Sequence, residues 1–331
     1  MIGEQNDISH IPVIDFSLYQ TDPAQCAKLI LDAAVNVGFF YLRNTAIERD
    51  AVQEMFSMSK EFFGTSKEDK LEYAIQENNI GYSAVRQEAV DPDHYSQGDY
   101  KESFHIAKFK GDAPSQQLPP AFESKKDRVN AFIRACHAIV CQILECLAIA
   151  LEIPESEGGR SWLASRHGYD MPSNDVLRVL HYPALEQAQE TNDIRIGRHS
   201  DYGSLTLLFQ NGVGGLQIQA NRDAKDEESI KWLDAPVLED CIVVNLGDCL
   251  EYWTNNLLKS TKHRVIFTPE TQLTPRYSMA YFCQGSQALL EPVPSKYIRA
   301  SVPKDVVDAQ NKPLTAADHL QMRLKATYSH Y

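Results

Sequence analysis

The chain has 331 residues, a formal net charge of −13, and apolar and charged shares of 43% and 23%; it can bury a large core and carries no compositional mark of disorder. With a pI near 5.2 and no basic stripe, it lacks what a nucleic-acid backbone or an anionic membrane surface would need. The opening residues Met1-Ile2-Gly3-Glu4-Gln5-Asn6-Asp7 have neither the basic nor the apolar part of a signal peptide, and no later stretch reads as a membrane span, so a soluble cytoplasmic protein is expected.

In chain order, Ile11-Pro12-Val13-Ile14-Asp15-Phe16 alternates like a strand. Asp22 then caps a helix with Pro23 in its first turn and Cys26, Leu29, Ile30, Ala33 and Val37 at helical spacing. Gly38 stops that helix and Phe39-Phe40-Tyr41-Leu42 returns as a strand. A second helix runs from Asp50 to Phe63, and Thr65 with Glu68 forms a capping box for a third. Residues 78–126 are polar and rich in turn residues, which predicts a long irregular segment and a candidate lid. From Asp127 to Leu151 an apolar periodicity predicts one long scaffold helix.

Short strands then take over at Val176–Tyr182, Leu205–Gln210, Leu216–Gln219, Trp232–Asp234, Ile242–Leu246, Arg264–Phe267 and Tyr277–Cys283, with polar loops at 184–196 and 220–230. Such spacing reads as an antiparallel sandwich or barrel. The run Leu314–Tyr328 is helical in period. The expected architecture is mainly β with flanking α: an N-terminal α/β region over residues 1–125, a scaffold helix and barrel core over 126–290, and a C-terminal helical segment over 291–331. Seven cysteines, none in a Cys-x-x-Cys pair, read as buried thiols and not as a disulfide or zinc framework.

The chemistry concentrates in Arg198-His199-Ser200-Asp201-Tyr202-Gly203-Ser204-Leu205-Thr206. In extended chain His199 and Asp201 project to one side, and His263 stands at the mouth of a later apolar run. Two imidazoles and one carboxylate on one face of an octahedron form the ligand set of mononuclear non-haem Fe(II) oxygenases. Farther on, Arg276 and Ser278 share a strand face, where a guanidinium and a hydroxyl can hold one carboxylate; a salt-bridged strand end is the plainer reading of that pair alone. Gly212-Val213-Gly214-Gly215 leads into a strand and so reads as a hairpin turn, not a phosphate cradle. Ser57-x-x-Lys60 lies in mid-helix without the companion motifs of an acyl enzyme. The remaining histidines lack partners at ligand spacing, although His105 is a candidate for the pocket.

Taken together, Ile11-Pro12-Val13-Ile14-Asp15, Gly38-Phe39-Phe40-Tyr41, Arg178-Val179-Leu180-His181-Tyr182-Pro183, the His199 segment, Val244-Asn245-Leu246-Gly247-Asp248, His263-Arg264-Val265 and Arg276-Tyr277-Ser278 resemble the isopenicillin N synthase-like branch of the Fe(II)- and 2-oxoglutarate-dependent dioxygenases. The resemblance spans nearly the whole chain. It implies a double-stranded β-helix, or jelly-roll, cupin-like core, with a C-terminal helix near its mouth. It also implies that His199, Asp201 and His263 bind Fe(II), that Arg276 and Ser278 hold the distal carboxylate of 2-oxoglutarate, and that Tyr182 reaches the co-substrate's other end. Leu180 departs from the asparagine of many plant relatives, which removes one polar contact.

The implied reaction couples oxidative decarboxylation of 2-oxoglutarate by O2, with ascorbate as a candidate reductant, to hydroxylation, desaturation or ring rearrangement of a small organic molecule. Specialised, or secondary, metabolism is the expected setting, Tyr82 and Phe104 are the expected substrate contacts, and a monomer or weak homodimer is the expected state. Two alternatives stand beside it: an Fe(II) oxidase of the same fold that uses no 2-oxoglutarate, in which Arg276 and Ser278 would take a substrate carboxylate, and a non-catalytic jelly-roll binding protein.

Overall fold

The computed structural model describes residues 8–91, 94, 97–187, 194–224, 226–285, 287–298 and 312–328. The N-terminal region contributes strands β1 (Val13–Asp15), β2 (Phe39–Arg43), β3 (Gly81–Ser83) and β4 (Glu102–Ala107) and helices α1 (Leu18–Thr21), α2 (Pro23–Asn36), α3 (Arg49–Phe63), α4 (Lys67–Leu71) and α5 (Pro120–Glu123). After the long helix α6 (Lys126–Ala150) come β5 (Val176–Tyr182), β6 (Ile196–His199), β7 (Leu205–Gln210), β8 (Leu216–Gln219), β9 (Trp232–Asp234), β10 (Ile242–Leu246), α7 (Asp248–Trp253), β11 (His263–Val265), β12 (Arg276–Cys283) and α8 (Ala316–Tyr328).

An eight-stranded sheet in the order β1-β2-β10-β7-β12-β5-β4-β3 faces a four-stranded sheet in the order β6-β11-β8-β9. This is the expected double-stranded β-helix, with all pairs antiparallel except β1 with β2.

The period of two sorts the strands of the large sheet into two faces. Leu177 and Val179 of β5, Leu205, Leu207 and Phe209 of β7, Val244 and Leu246 of β10, and Met279, Tyr281 and Cys283 of β12 belong to the core that contains α2, α3 and α6. Their neighbours Leu180, Tyr182, Val243 and Ala280 belong to a second cluster, with Ile196, Leu216, Ile218 and Val265 of the small sheet. Register fixes what else lies on that inner face: Arg276 stands opposite Tyr182, and Ser278 opposite both Leu180 and Gln210. The polar positions of the large sheet are thereby delivered to the space between the sheets.

Helix α6 is apolar on more than one side, and by length and composition it could cross a membrane, contrary to the expectation that no stretch comes near this; yet 61% of its most apolar window is buried inside the protein, as befits a core helix. Asp22 caps α2 through the Gln25 amide at 3.1 Å, as expected. The cap of α4 is Ser66, whose hydroxyl accepts from the Asp69 amide at 3.1 Å. Thr65, expected in that role, instead donates to the Phe62 carbonyl at 2.8 Å.

The segment 78–126 corrects the expectation of an irregular lid. It supplies β3 and β4, which continue the large sheet beyond β5, and the short helix α5. Its polarity misled because its charged residues are buried against one another: Glu102 accepts from Lys70 Nζ at 2.8 Å, His181 Nδ1 at 2.7 Å and the Tyr82 hydroxyl at 2.5 Å. Burial opposes its ionisation, but these donors outweigh burial and hold Glu102 below the usual carboxylate range.

Gly38 ends α2 with φ +75°, a conformation that disfavours any side chain, and an added Cβ would stand 2.3 Å from the Lys259 carbonyl oxygen. Its own carbonyl accepts from the Leu246 amide at 3.0 Å, which ties the helix end to β10. Gly38→Ala should therefore destabilise the protein by about 3 kcal/mol, read as a lower denaturant midpoint at unchanged slope.

Candidate active site

At one end of the space between the sheets, β11 pairs with β6 so that His263 lies directly opposite His199. The two rings are 4.2 Å apart at their centroids. His199 Nδ1 donates to the Gly197 carbonyl at 2.8 Å and His263 Nδ1 to the Thr261 carbonyl at 3.1 Å. Those bonds select the tautomer whose Nε2 is a free lone pair. Both Nε2 atoms point to Asp201 Oδ1, at 3.7 and 3.8 Å.

Asp201 lies just past the end of β6 and not within the strand; it still reaches the same side as His199. Its other oxygen, Oδ2, accepts from the Thr206 hydroxyl and the Asn245 amide, each at 2.6 Å. Three ligand atoms, all within 4.8 Å of one another, thus converge on one point while the outer atoms of the same side chains are tied down. Burial would raise the Asp201 carboxyl, but the two imidazoles and these hydrogen bonds hold it below the usual range. Burial and then the neighbouring His263 push His199 down to about 3, so it stands neutral. A carboxylate and two imidazoles whose Nε2 atoms are turned toward one point are what a divalent metal requires. The donor set therefore fits iron.

A cavity of about 640 Å³ opens on His199 and Asp201. Its lining includes the apolar Leu180, Ile196 and Phe282, the charged Glu88, Lys101 and Arg178, and Leu320 and Leu324 of α8. Lys101 Nζ lies 2.5 Å from Glu88 Oε2, with both residues buried, and Arg178 Nη1 lies 3.8 Å from the same oxygen. The Arg178 guanidinium rests 5.1 Å from the Phe282 ring centroid, and its Nε has no partner among the described residues.

On the inner face of β12, Arg276 is fully buried. Its Nη1 donates to Ser278 Oγ at 3.2 Å, its Nη2 to Gln210 Oε1 at 3.0 Å and its Nε to the Val213 carbonyl at 3.2 Å, and the guanidinium sits 4.7 Å from the Tyr182 ring centroid. Arg276 and Ser278 are therefore adjacent, as their shared strand face suggested, and Tyr182 stands beside Arg276 rather than at the opposite end of the co-substrate where it was expected.

Tyr82 and Phe104 are not on the cavity wall. They are packed into the hydrophobic core beside Phe62, with the Tyr82 hydroxyl spent on Glu102, and this corrects their expected part in substrate contact. His105, the other pocket candidate, is fully buried between Ser103 Oγ and the Asn79 carbonyl, at 2.9 Å from each. Thr206, Asn245 and Gln210 were missed as functional positions. The period of two in β7 and β10 puts all three on the inner face, and that was the signal available.

A second group, His137, Asp175 and Cys283, also brings ligand-type atoms together. Its members are committed elsewhere: His137 Nδ1 lies 3.1 Å from the Tyr281 hydroxyl, Asp175 accepts from the Gln284 amide at 2.7 Å, and the Lys108 ammonium already faces Asp175 at 3.9 Å.

Residues 11–124 match the family described as non-haem dioxygenase in morphine synthesis N-terminal, and residues 173–285 match the 2OG-Fe(II) oxygenase superfamily. A UPF0676 protein of Schizosaccharomyces pombe is 32% identical over 97% of this chain and 93% of its own length. A 2-oxoglutarate-dependent dioxygenase of Aspergillus rugulosus is 29% identical, covering 96% of this chain and 99% of that protein. Among solved structures, a full-length Neurospora crassa protein in complex with alpha-KG, the same compound as 2-oxoglutarate, superposes with a TM-score of 0.78 at 30% identity over 98% of each chain.

Proposed function

Because the chain belongs to the 2OG-Fe(II) oxygenase superfamily and is an Fe(II)- and 2-oxoglutarate-dependent dioxygenase, we propose that His199, Asp201 and His263 hold its iron, that Arg276 and Ser278 hold the distal carboxylate of 2-oxoglutarate, and that the substrate is a small polar organic molecule bound in the cavity beside His199. Bound iron with 2-oxoglutarate and O2 supplies the oxidant for a C–H bond, with succinate and carbon dioxide as co-products. The side chains bind, orient and exclude water. Asp201 presents one oxygen to the metal because Thr206 and Asn245 fix the other. Arg276, with Tyr182 stacked beside it, anchors the far end of the co-substrate and so sets the orientation of its near end. Leu180, Ile196 and Phe282 keep the reacting C–H bond in apolar surroundings.

The observation that carries the substrate assignment is that the charged Glu88, Lys101 and Arg178 line the same cavity as the apolar Leu180, Ile196 and Phe282 and as His199 and Asp201. Arg178, whose Nε donor is unspent among the described residues, suits a carbonyl or carboxylate oxygen of the substrate. Relatives point to the same size class: the Neurospora crassa protein is also solved with thymine, and a proline hydroxylase of Petromyces alliaceus is 30% identical over 89% of this chain. Several of the relatives are fungal dioxygenases, and specialised metabolism is the setting we propose. The test is a panel of small polar metabolites incubated with Fe(II), 2-oxoglutarate, ascorbate and air, followed by succinate release and product mass. A product 16 mass units heavier, or two lighter, identifies the substrate. Turnover confined to peptides or long-chain lipids would overturn the assignment.

The bonds that orient Asp201 yield a separate expectation. Asn245→Leu keeps the three ligands but frees the Asp201 carboxylate to rotate and leaves it short of one donor. Fe(II) affinity, measured by anaerobic calorimetry, should fall roughly 10-fold or more, the usual cost of losing a hydrogen bond to a metal ligand.

A further inference from the structure

We propose that Arg195 is a second cation for the distal carboxylate of 2-oxoglutarate, acting beside Arg276 at the Tyr182 ring. The inference rests on the assignment of that carboxylate to Arg276. Arg195 immediately precedes β6, the strand that ends in His199, and its side chain enters the space between the sheets. It is fully buried, with its guanidinium 6.0 Å from the Tyr182 ring centroid and 4.6 Å from that of Phe267. Arg276 approaches the same Tyr182 ring at 4.7 Å. Two guanidinium groups, one from β12 and one from the residue before β6, therefore meet at one aromatic side chain on the inner face.

Neither charge is neutralised by a carboxylate among the described residues. Arg276 spends its donors on the Val213 carbonyl, Ser278 and Gln210, all neutral. Arg195 places only Nη2, which donates to the carbonyls of Thr271 at 3.1 Å and Thr274 at 3.0 Å; its Nε and Nη1 are buried with no partner among the described residues. Burial, and then the charge of Arg276, push the Arg195 guanidinium down to about 10, so it remains cationic at neutral pH.

Burying one charge without a counter-ion is costly, and burying two of like sign at one ring is more so. Unspent donors in such a place call for an acceptor. A carboxylate has two oxygens and about four lone-pair positions, more than Arg276 and Ser278 use, and it would offset both cations at once. The alternative is that Arg195 only pins the turn at Thr271 and Thr274. That role explains Nη2 and leaves Nε and Nη1 without a purpose.

The two roles separate by experiment. Under argon, 2-oxoglutarate and the monocarboxylate 2-oxobutanoate, which lacks the distal carboxylate, are titrated into the Fe(II)-loaded protein and into its Arg195→Gln, Arg195→Lys and Arg276→Gln variants. The visible band of the chelated keto acid reports binding, and melting temperature is recorded with and without 2-oxoglutarate. Arg195→Gln should weaken 2-oxoglutarate about 10-fold or more, leave 2-oxobutanoate and iron affinity within about 2-fold, and not lower the melting temperature of the ligand-free protein, since it removes a repulsion. Arg195→Lys keeps the charge, guards against a folding defect in the glutamine variant, and should fall between.

Unchanged 2-oxoglutarate affinity in Arg195→Gln alongside a loss in Arg276→Gln overturns the Arg195 assignment alone. Equal losses for both keto acids, with a lower melting temperature, assign Arg195 to the turn and also overturn it. Unchanged affinity in Arg276→Gln moves the carboxylate elsewhere and removes both assignments.

Discussion

His199→Ala, Asp201→Ala and His263→Ala should each abolish turnover and lower Fe(II) affinity by more than about 100-fold, a larger effect than losing a hydrogen bond to a metal ligand produces. The three differ in what they do to the fold. The histidines end or begin short strands of the small sheet, and each spends its Nδ1 on a carbonyl two residues away, so their removal leaves the sheets intact and the melting temperature of the metal-free protein nearly unchanged. Asp201 is the acceptor for Thr206 and Asn245, both buried. Its removal strands two donors and should cost an additional 1–3 kcal/mol or so. Calorimetry of Fe(II) binding under argon, paired with thermal unfolding of the metal-free variants, reads both effects. Unchanged iron affinity in any one variant removes that residue from the metal site.

The parts of this architecture that could be read in advance are those where side-chain period and burial agree. Strands β5, β7, β8, β9 and β10 fall within the bounds that alternation suggests, because each sends one apolar face into a core. Strand β6 was not delimited, although His199 and Asp201 were read as extended chain just after the polar loop 184–196, since Gly197, Arg198 and His199 break the apolar alternation. Its inner face holds His199, a proposed metal ligand, in place of an apolar side chain. Strand β4 was hidden for a related reason: Glu102 and Lys101 look solvated in sequence, but each is buried with a partner from a distant segment, Lys70 and His181 for one and Glu88 for the other.

The convergence of His199, Asp201 and His263 was legible because few other arrangements use two histidines and an aspartate at that spacing. Tyr82 and Phe104 were not, because an aromatic side chain suits a pocket and a core equally well, and only the contact with Phe62 decides between them. Arg195 carried no signal at all. A lone arginine before a strand is ordinary until packing shows that it is fully buried with two nitrogens unpartnered among the described residues.

Arg276→Gln tests the other end of the co-substrate. The variant leaves the three metal ligands untouched, so iron still binds; what it loses is a charged contact in a fully buried position. Losing one partner of a buried charge pair costs roughly 2–5 kcal/mol, and each 1.4 kcal/mol or so is a factor of ten, so the affinity for 2-oxoglutarate should fall about 30-fold or more. Lysine should restore only part of it. The guanidinium in place here divides its donors among Ser278, Gln210 and the Val213 carbonyl and stacks against Tyr182, and a point charge on a flexible stem reproduces neither the fork nor the stacking. Anaerobic titration of 2-oxoglutarate into the Fe(II) protein, followed by the visible band of the chelated keto acid, gives the affinity directly. A normal 2-oxoglutarate affinity in Arg276→Gln, together with a raised KM for the oxidised substrate, would assign Arg276 to the substrate's carboxylate instead.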